Sequence, residues 1–395
     1  RRAEDGQKHI ELLKASNLAG GFITAGRVEE EEAKRVLIKE ILKREVDSEE
    51  NAIKTIEEGI ERGKTMPVQD VVDSENRVKR EMLINDGDMS FISDADSDFQ
   101  WINKFASGEI PKGLDTGNAR LDQYFRYKTE FVIINGHSNV GKTTMALYMM
   151  VNSALRHDWK WIVYSSENKT ASIKMRLMEF VLNKPIDLMD YEERTSAFNW
   201  VSYHFKVISN ADVYSYMDLI IFAEKLIQYE GGYKGFFVDP YNSLKIQLNQ
   251  GAAISTHEYH YEAASELLTF TNRHDMAMWL NAHSVTESQR RKGEDGLPVA
   301  PFAEDTEGGG KFVNRADSFL TFHRRVQAQT SEEKRIMEFH VRKVRSQETG
   351  GEPTPFDDPF LFQMNVQRTG FKAMDTHGKL FEPLDLRKHQ GFLEI

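Results

Sequence analysis

Residues 136–144, GHSNVGKTT, place Gly136, Gly141, Lys142 and Thr143 at the defining positions of a G-x-x-x-x-G-K-[ST] loop. Such a loop does phosphate chemistry. The backbone N–H groups of Gly136, His137, Ser138, Asn139, Val140 and Gly141 can surround phosphate oxygens, and a helix opening at Lys142, Thr143 and Thr144 turns its positive end toward the anion. Lys142 would reach the β- and γ-phosphates of a nucleoside triphosphate, and Thr143 would ligate Mg²⁺. A chance match needs no particular neighbours, yet here the apolar run FVIIN precedes the loop and the helix-like run MALYMMVNSALRH follows it.

Four more positions could act on the same phosphates. Asp239 closes the apolar run GFFVD and would hold the metal from the far side, through water. Glu167 follows WIVYSS and could take the proton of an attacking water. His283 ends MAMWLNAH, where a polar side chain could contact the γ-phosphate and report its loss to the following loop. Lys343 and Arg345 alternate onto one face of EFHVRKVR and could grip a phosphate, in this subunit or in the next. Each has a plainer alternative: a turn-capping Asp before Pro240, a helix-capping Glu, a structural His, and a solvated edge strand.

These residues need strand ends to hold them. From Gly117 onward the runs FVIIN, WIVYSS, FKVIS, GFFVD, MAMWLNA, SFLTFHR and EFHVRKV alternate with helical stretches. That alternation predicts an α/β fold with a mainly parallel central sheet. Ahead of it, Val36, Ile38, Ile41 and Leu42, then Ile53, Ile56 and Ile60, recur at helical spacing, with Gly59 and Gly63 read as the end of the module. We expect a small helical domain over residues 1–66, an acidic linker over 67–112 with a docking helix around VVDSENRVKREML, and the ATPase-type domain over 113–395.

Composition sets the outer limits. The 395 residues are 40% hydrophobic and 29% charged, and no apolar run approaches the roughly 18 residues of a membrane span. With no cysteine, thiolate zinc sites and disulfides are excluded, which suits a reducing cytoplasm. A net charge of −11 argues against a basic coat for nucleic acid but not against a local channel of cations. The chain opens on RRAEDGQKHI, without Met or signal-like core, and is expected to be a piece of a longer polypeptide. DADSD at residues 94–98 reads as acidic linker and HEYH at 257–260 as helix surface, not as metal sites.

The order of Walker A loop, strand-end Glu, Walker B Asp, strand-end His and Lys-x-Arg resembles the RecA-like core of the hexameric replicative helicases, the DnaB group with its phage and mitochondrial primase-helicases. IPKGLDTGNARLD, SSENKTASIKMRL and DTEGGGKFVNRADSFLTFHR are similar to further family segments, so the resemblance covers roughly residues 110–350. It implies a ring-forming, ATP- and Mg²⁺-dependent motor, a hexamer moving on single-stranded DNA and opening forked duplex. Lys343 and Arg345 would then act in a neighbour's site. His283 stands where the bacterial proteins usually have Gln, and Pro240-Tyr241-Asn242 follows the Walker B Asp, both pointing to phage-type relatives. The N-terminal helical piece resembles the domain that follows a primase-polymerase, so an upstream fusion and a host-cytoplasm location are expected. DNA would face two loops carrying Lys245, and Arg290, Arg291, Lys292 and Lys311, a set suited to sequence-tolerant backbone contact. The same sequence leaves open a RecA-like loader or assembly factor that does not unwind, and a P-loop phosphotransferase.

Overall fold

The computed structural model describes residues 8–24, 28–43, 48–64, 92–109, 112–246, 256–307, 309–375 and 378–385. The chain divides into one unit of residues 1–103 with 248–254 and a larger unit holding the rest.

In the first unit three helices, α1 (Lys8–Thr24), α2 (Glu30–Leu42) and α3 (Glu49–Lys64), enclose Leu12, Ile41, Ala52, Ile56 and Ile60. The second and third are the helices expected from the apolar spacing; α1 was not foreseen. Val36 and Leu42, expected inside, lie on the exposed side of α2, because its inward stripe runs through Ala33, Leu37, Ile38 and Ile41.

Gly59 and Gly63 correct the sequence reading. They do not end the module but lie within α3, where that helix meets α1. A Cβ on Gly63 would fall 1.9 Å from the Asn17 carbonyl oxygen, and one on Gly59 would fall 2.4 Å from the Ser16 Cβ. The missing side chains let two backbones touch. Gly63→Ala is therefore expected to destabilise this unit by about 1–3 kcal/mol, although Ala is the better helix former. Thermal unfolding followed by hydrogen exchange in α1 and α3 checks this, and unchanged protection would refute it.

The stretch around VVDSENRVKREML lies outside the described residues. DADSD begins a helix instead of a linker: α4 (Ala95–Ala106), whose first N–H groups meet the Asp94 carboxylate at 3.3 Å. Its acids thus serve a helix N-terminus, where negative charge is favourable.

The larger unit runs α5 (Leu121–Tyr124), β1 (Phe131–Asn135), α6 (Lys142–His157), β2 (Lys160–Ser165), α7 (Thr170–Leu182), α8 (Tyr191–His204), β3 (Phe205–Val207), α9 (Tyr216–Tyr229), β4 (Tyr233–Asp239), α10 (Thr256–His274), β5 (Ala277–Asn281), α11 (Gly310–Arg315), β6 (Ser318–His323), β7 (Ile336–Val344), β8 (Phe360–Met364) and β9 (Phe371–Ala373). The nine strands form one sheet in the order β3-β2-β4-β5-β1-β6-β7-β8-β9. Pairings from β3 to β6 are parallel, and those from β6 to β9 are antiparallel.

The expected α/β fold is present. Strands β1 and β5 are buried along their whole length, as parallel strands covered on both faces must be. Helices α8 and α9 start at capping boxes, Asp190 with Glu193 and Ser215 with Asp218. Strands β8 and β9 were missed because FLFQM and FKA are short and bounded by polar turns.

Candidate functional site

Parallel strands deliver their C-terminal ends to one edge, and the order β2-β4-β5-β1 brings four of the singled-out groups to that edge together. Residues 136–141 join β1 to α6. Gly136 passes so close to β6 that a Cβ on it would lie 2.3 Å from the Phe322 carbonyl oxygen. Lys142 is nearly buried, and its Nζ donates to the carbonyls of Gly136 at 2.9 Å and His137 at 3.1 Å. Burial pushes its ammonium down to about 8, against the pull of Asp239 and Glu167.

Asp239 ends β4 fully buried and is held from three strands. Thr143 Oγ1 donates to its two carboxylate oxygens at 3.0 and 2.9 Å, Ser165 Oγ donates at 3.1 Å, and Asn281 Nδ2 donates to Oδ1. Burial raises the Asp239 carboxyl above its ordinary value, and these donors oppose the rise. Hard oxygens from Thr143 and Asp239 side by side fit Mg²⁺, which takes one or two carboxylates and completes its shell with phosphate and water.

Glu167 follows β2 and is half exposed; His283 follows β5, with Nε2 3.4 Å from Glu167 Oε1. The structure therefore joins the expected water-activating carboxylate and the expected sensor at one point, beside Thr143 and Asp239. His137 turns away from this crevice, its Nε2 3.0 Å from Ser288 Oγ in the long loop, and burial lowers its pKa.

Lys343 and Arg345 lie elsewhere. In the β6–β7 register Val344 faces Ser318, and Ser318 in turn faces Val132, whereas the phosphate loop leaves from Asn135, opposite Thr321. The two cations thus sit at the start of β1, about five residues or roughly 16 Å from the loop. There Lys343 Nζ donates to the carbonyls of Val313 at 2.5 Å and Ala316 at 2.7 Å. Arg345 pairs with Asp317 at 2.6 Å and reaches the Asn314 and Arg315 carbonyls. Both therefore cap the C-terminal end of α11. Of the two possibilities left by the sequence, a grip on phosphate within the same subunit is ruled out by this register.

Among the cations expected to face DNA, Lys245, Arg290 and Lys292 are exposed. Arg290 also pairs with Glu287, one turn away. Arg291 is engaged within the loop, forked onto Asp305 and stacked over Phe302. The Lys311 side chain lies outside the described residues. HEYH corrects another expectation: Tyr259 is buried, and His260 Nδ1 meets the Tyr241 hydroxyl at 2.9 Å, so this stretch is not all helix surface.

Several working residues escaped the sequence reading. Ser165 and Asn281 hold Asp239, Asn242 accepts from the His283 N–H at 2.7 Å, and Arg324 donates to the Asn139 carbonyl at 3.1 Å. A signal existed for two of them. Ser165 and Asn281 each stand two residues before Glu167 and His283, the spacing that returns a strand side chain to the same face.

No protein-family model matches the chain. It is 26% identical over 249 residues to a Twinkle homolog protein, chloroplastic/mitochondrial, of Arabidopsis thaliana, covering 60% of this chain. The chain spans about a third of that relative's length, 34%. In structure it superposes on the ATPase domain of a DnaB-like helicase with a TM-score of 0.59 at 17% identity, over 72% of this chain and 100% of that one. A DnaB-like replicative helicase solved in a study of its interactions with primase gives 0.56 at 16% identity, over 83% and 80%. The fold is that of the DnaB-type helicase ATPase domain. Within this DnaB-type core the motif order expected from sequence maps onto one sheet edge, with the Lys-x-Arg pair alone at the other. Among the described residues no helix is long and apolar enough to cross a membrane.

Proposed function

We propose that this chain is the motor part of an ATP-dependent replicative DNA helicase, a homohexameric ring that moves along single-stranded DNA and opens the duplex ahead of it. The observation that carries the reading is the split of catalytic groups between the two ends of one sheet. Thr143, Asp239, Glu167 and His283 gather at one edge and Lys343 with Arg345 stands at the other, as a machine that completes each site from its neighbour requires.

In this reading Lys142 and the N–H groups of residues 136–141 bind the ATP phosphates. Thr143 and Asp239 hold Mg²⁺, which when bound offsets the charge of the phosphate oxygens. Glu167 accepts the proton of the water that attacks the terminal phosphate, leaving ADP and inorganic phosphate, and His283 responds to the loss. Lys245, Arg290 and Lys292, with Arg291 and Lys311 as less exposed or undescribed members of the set, track the strand's phosphates without reading bases. A phage origin, fusion to an upstream primase-polymerase and work in the host cytoplasm belong to the same reading.

Nucleotide binding should depend on pH through Lys142. Phosphate favours the charged ammonium, so affinity is full below the free lysine's value of about 8 and declines as the pH rises through it. Calorimetry at pH 7 and pH 9, in buffers of different ionisation enthalpy, should show weaker binding and proton uptake at the higher pH. Affinity that stays level across this range would contradict the lowered value.

The function itself is tested with ATP, Mg²⁺ and a forked duplex bearing a 5′ single-stranded tail, beside a Lys142→Ala control. Strand release that requires Lys142 supports the helicase. DNA-stimulated hydrolysis without release supports a loader, and phosphorylated small-molecule product supports a phosphotransferase.

A further inference from the structure

We propose that Asn242 is a positioning residue that ties the phosphate-sensing end of the site to both loops assigned to DNA. The proposal rests on the helicase reading above.

Asn242 lies in the short turn Tyr241–Ser243 directly after β4. Its Oδ1 accepts from the His283 N–H at 2.7 Å, and its Nδ2 donates to Glu307 Oε2 at 2.9 Å. Those partners fix the orientation of the carboxamide: a backbone N–H only donates and a carboxylate only accepts, so oxygen faces His283 and nitrogen faces Glu307. Glu307 closes the triangle, its own N–H donating to the His283 carbonyl at 2.9 Å.

Each corner leads somewhere different. His283 reaches Glu167 at 3.4 Å. Glu307 stands at the returning end of the long loop, whose two arms are pinned together by the Ser284–Thr306 bridge and by Val285 N–H on the Asp305 carbonyl at 2.7 Å. The turn that carries Asn242 continues into Lys245, at the start of the other loop, and the adjacent Ser243 hydroxyl bonds Ser166, next to Glu167. One side chain thus joins the sensor strand, the Walker B turn and the stem of the long loop. Because its two ends serve opposite partners, it cannot follow a shift of His283 without disturbing Glu307.

The test compares wild type with Asn242→Ala, Asn242→Asp and the double variant Asn242→Asp/Glu307→Gln. Two quantities are read: ATP hydrolysis with and without a single-stranded oligonucleotide, and oligonucleotide affinity with a non-hydrolysable ATP analogue against ADP. In Asn242→Ala we expect basal hydrolysis to persist, DNA stimulation to fall by about fivefold or more, and the affinity difference between the two nucleotide states to shrink alike. Asn242→Asp sets two carboxylates together and should behave as badly. The double variant exchanges donor and acceptor across the same contact: the carboxylate now in the turn can accept both from the His283 N–H and from the carboxamide now in the loop stem. It should restore the coupling. Stimulation and affinity difference in Asn242→Ala equal to those of a responsive wild type would overturn the proposal, as would a double variant no better than Asn242→Asp. A wild type whose hydrolysis ignores DNA would instead remove the helicase reading, and this proposal with it.

Discussion

Arg345→Ala is expected to bind nucleotide as wild type does and to lose hydrolysis by about 10³-fold or more, the scale on which cationic fingers act at a phosphoryl transition state. Its defect should also be repairable by a second inactive protein. Lys142→Ala has a failed phosphate loop but an intact Lys343 and Arg345, whereas Arg345→Ala has the reverse. Because the register separates the two features by most of the sheet's depth, each protein lacks what the other can offer across a contact. Mixing the two should therefore recover part of the activity, most at equal proportions. Mixtures no more active than their parts would mean that Arg345 does no more than hold α11 through Asp317 and the Asn314 and Arg315 carbonyls.

The second large effect is expected at Glu167. Glu167→Gln keeps the size of the side chain and its reach toward His283 but cannot take a proton, so turnover should fall by about 10²–10⁴-fold, the usual worth of a positioned general base. Nucleotide binding should remain, because Lys142, Thr143 and Asp239 do not depend on Glu167 for their contacts. Fluorescent-nucleotide binding beside phosphate release separates the two. Turnover within a few-fold of wild type would assign the base elsewhere and leave Glu167 a partner of His283 alone.

Much of this site could be read before the fold was known, because its residues sit at the ends of apolar runs. A strand such as GFFVD announces both its own burial and the position of its last carboxylate. What stayed hidden were contacts between distant segments. Nothing near Asn242 in the sequence says that its carboxamide meets Glu307, and nothing near Gly63 says that α1 will lie against it. The same limit explains Lys343 and Arg345. Alternation along EFHVRKVR puts them on one face, but only pairing with β6 shows which end of the sheet they occupy. Exposed cations in the long loop were equally easy to list, and it took the fold of that loop to show Arg291 already forked onto Asp305.

Strands β6 and β7 act together as a single mechanical part. They form one hairpin, stiffened by cross-strand hydrogen bonds along Ser318–His323, and it touches the phosphate loop at one end through Arg324 on the Asn139 carbonyl. At its other end it carries Lys343 and Arg345. The hairpin is a strut with a gauge at each tip. In a head-to-tail assembly it would span from one copy's nucleotide to the next, so a tilt imposed at the first would move the cations at the second without any side chain having to relay the message. Successive firing around such a ring would then be set by how rigidly two strands hold together.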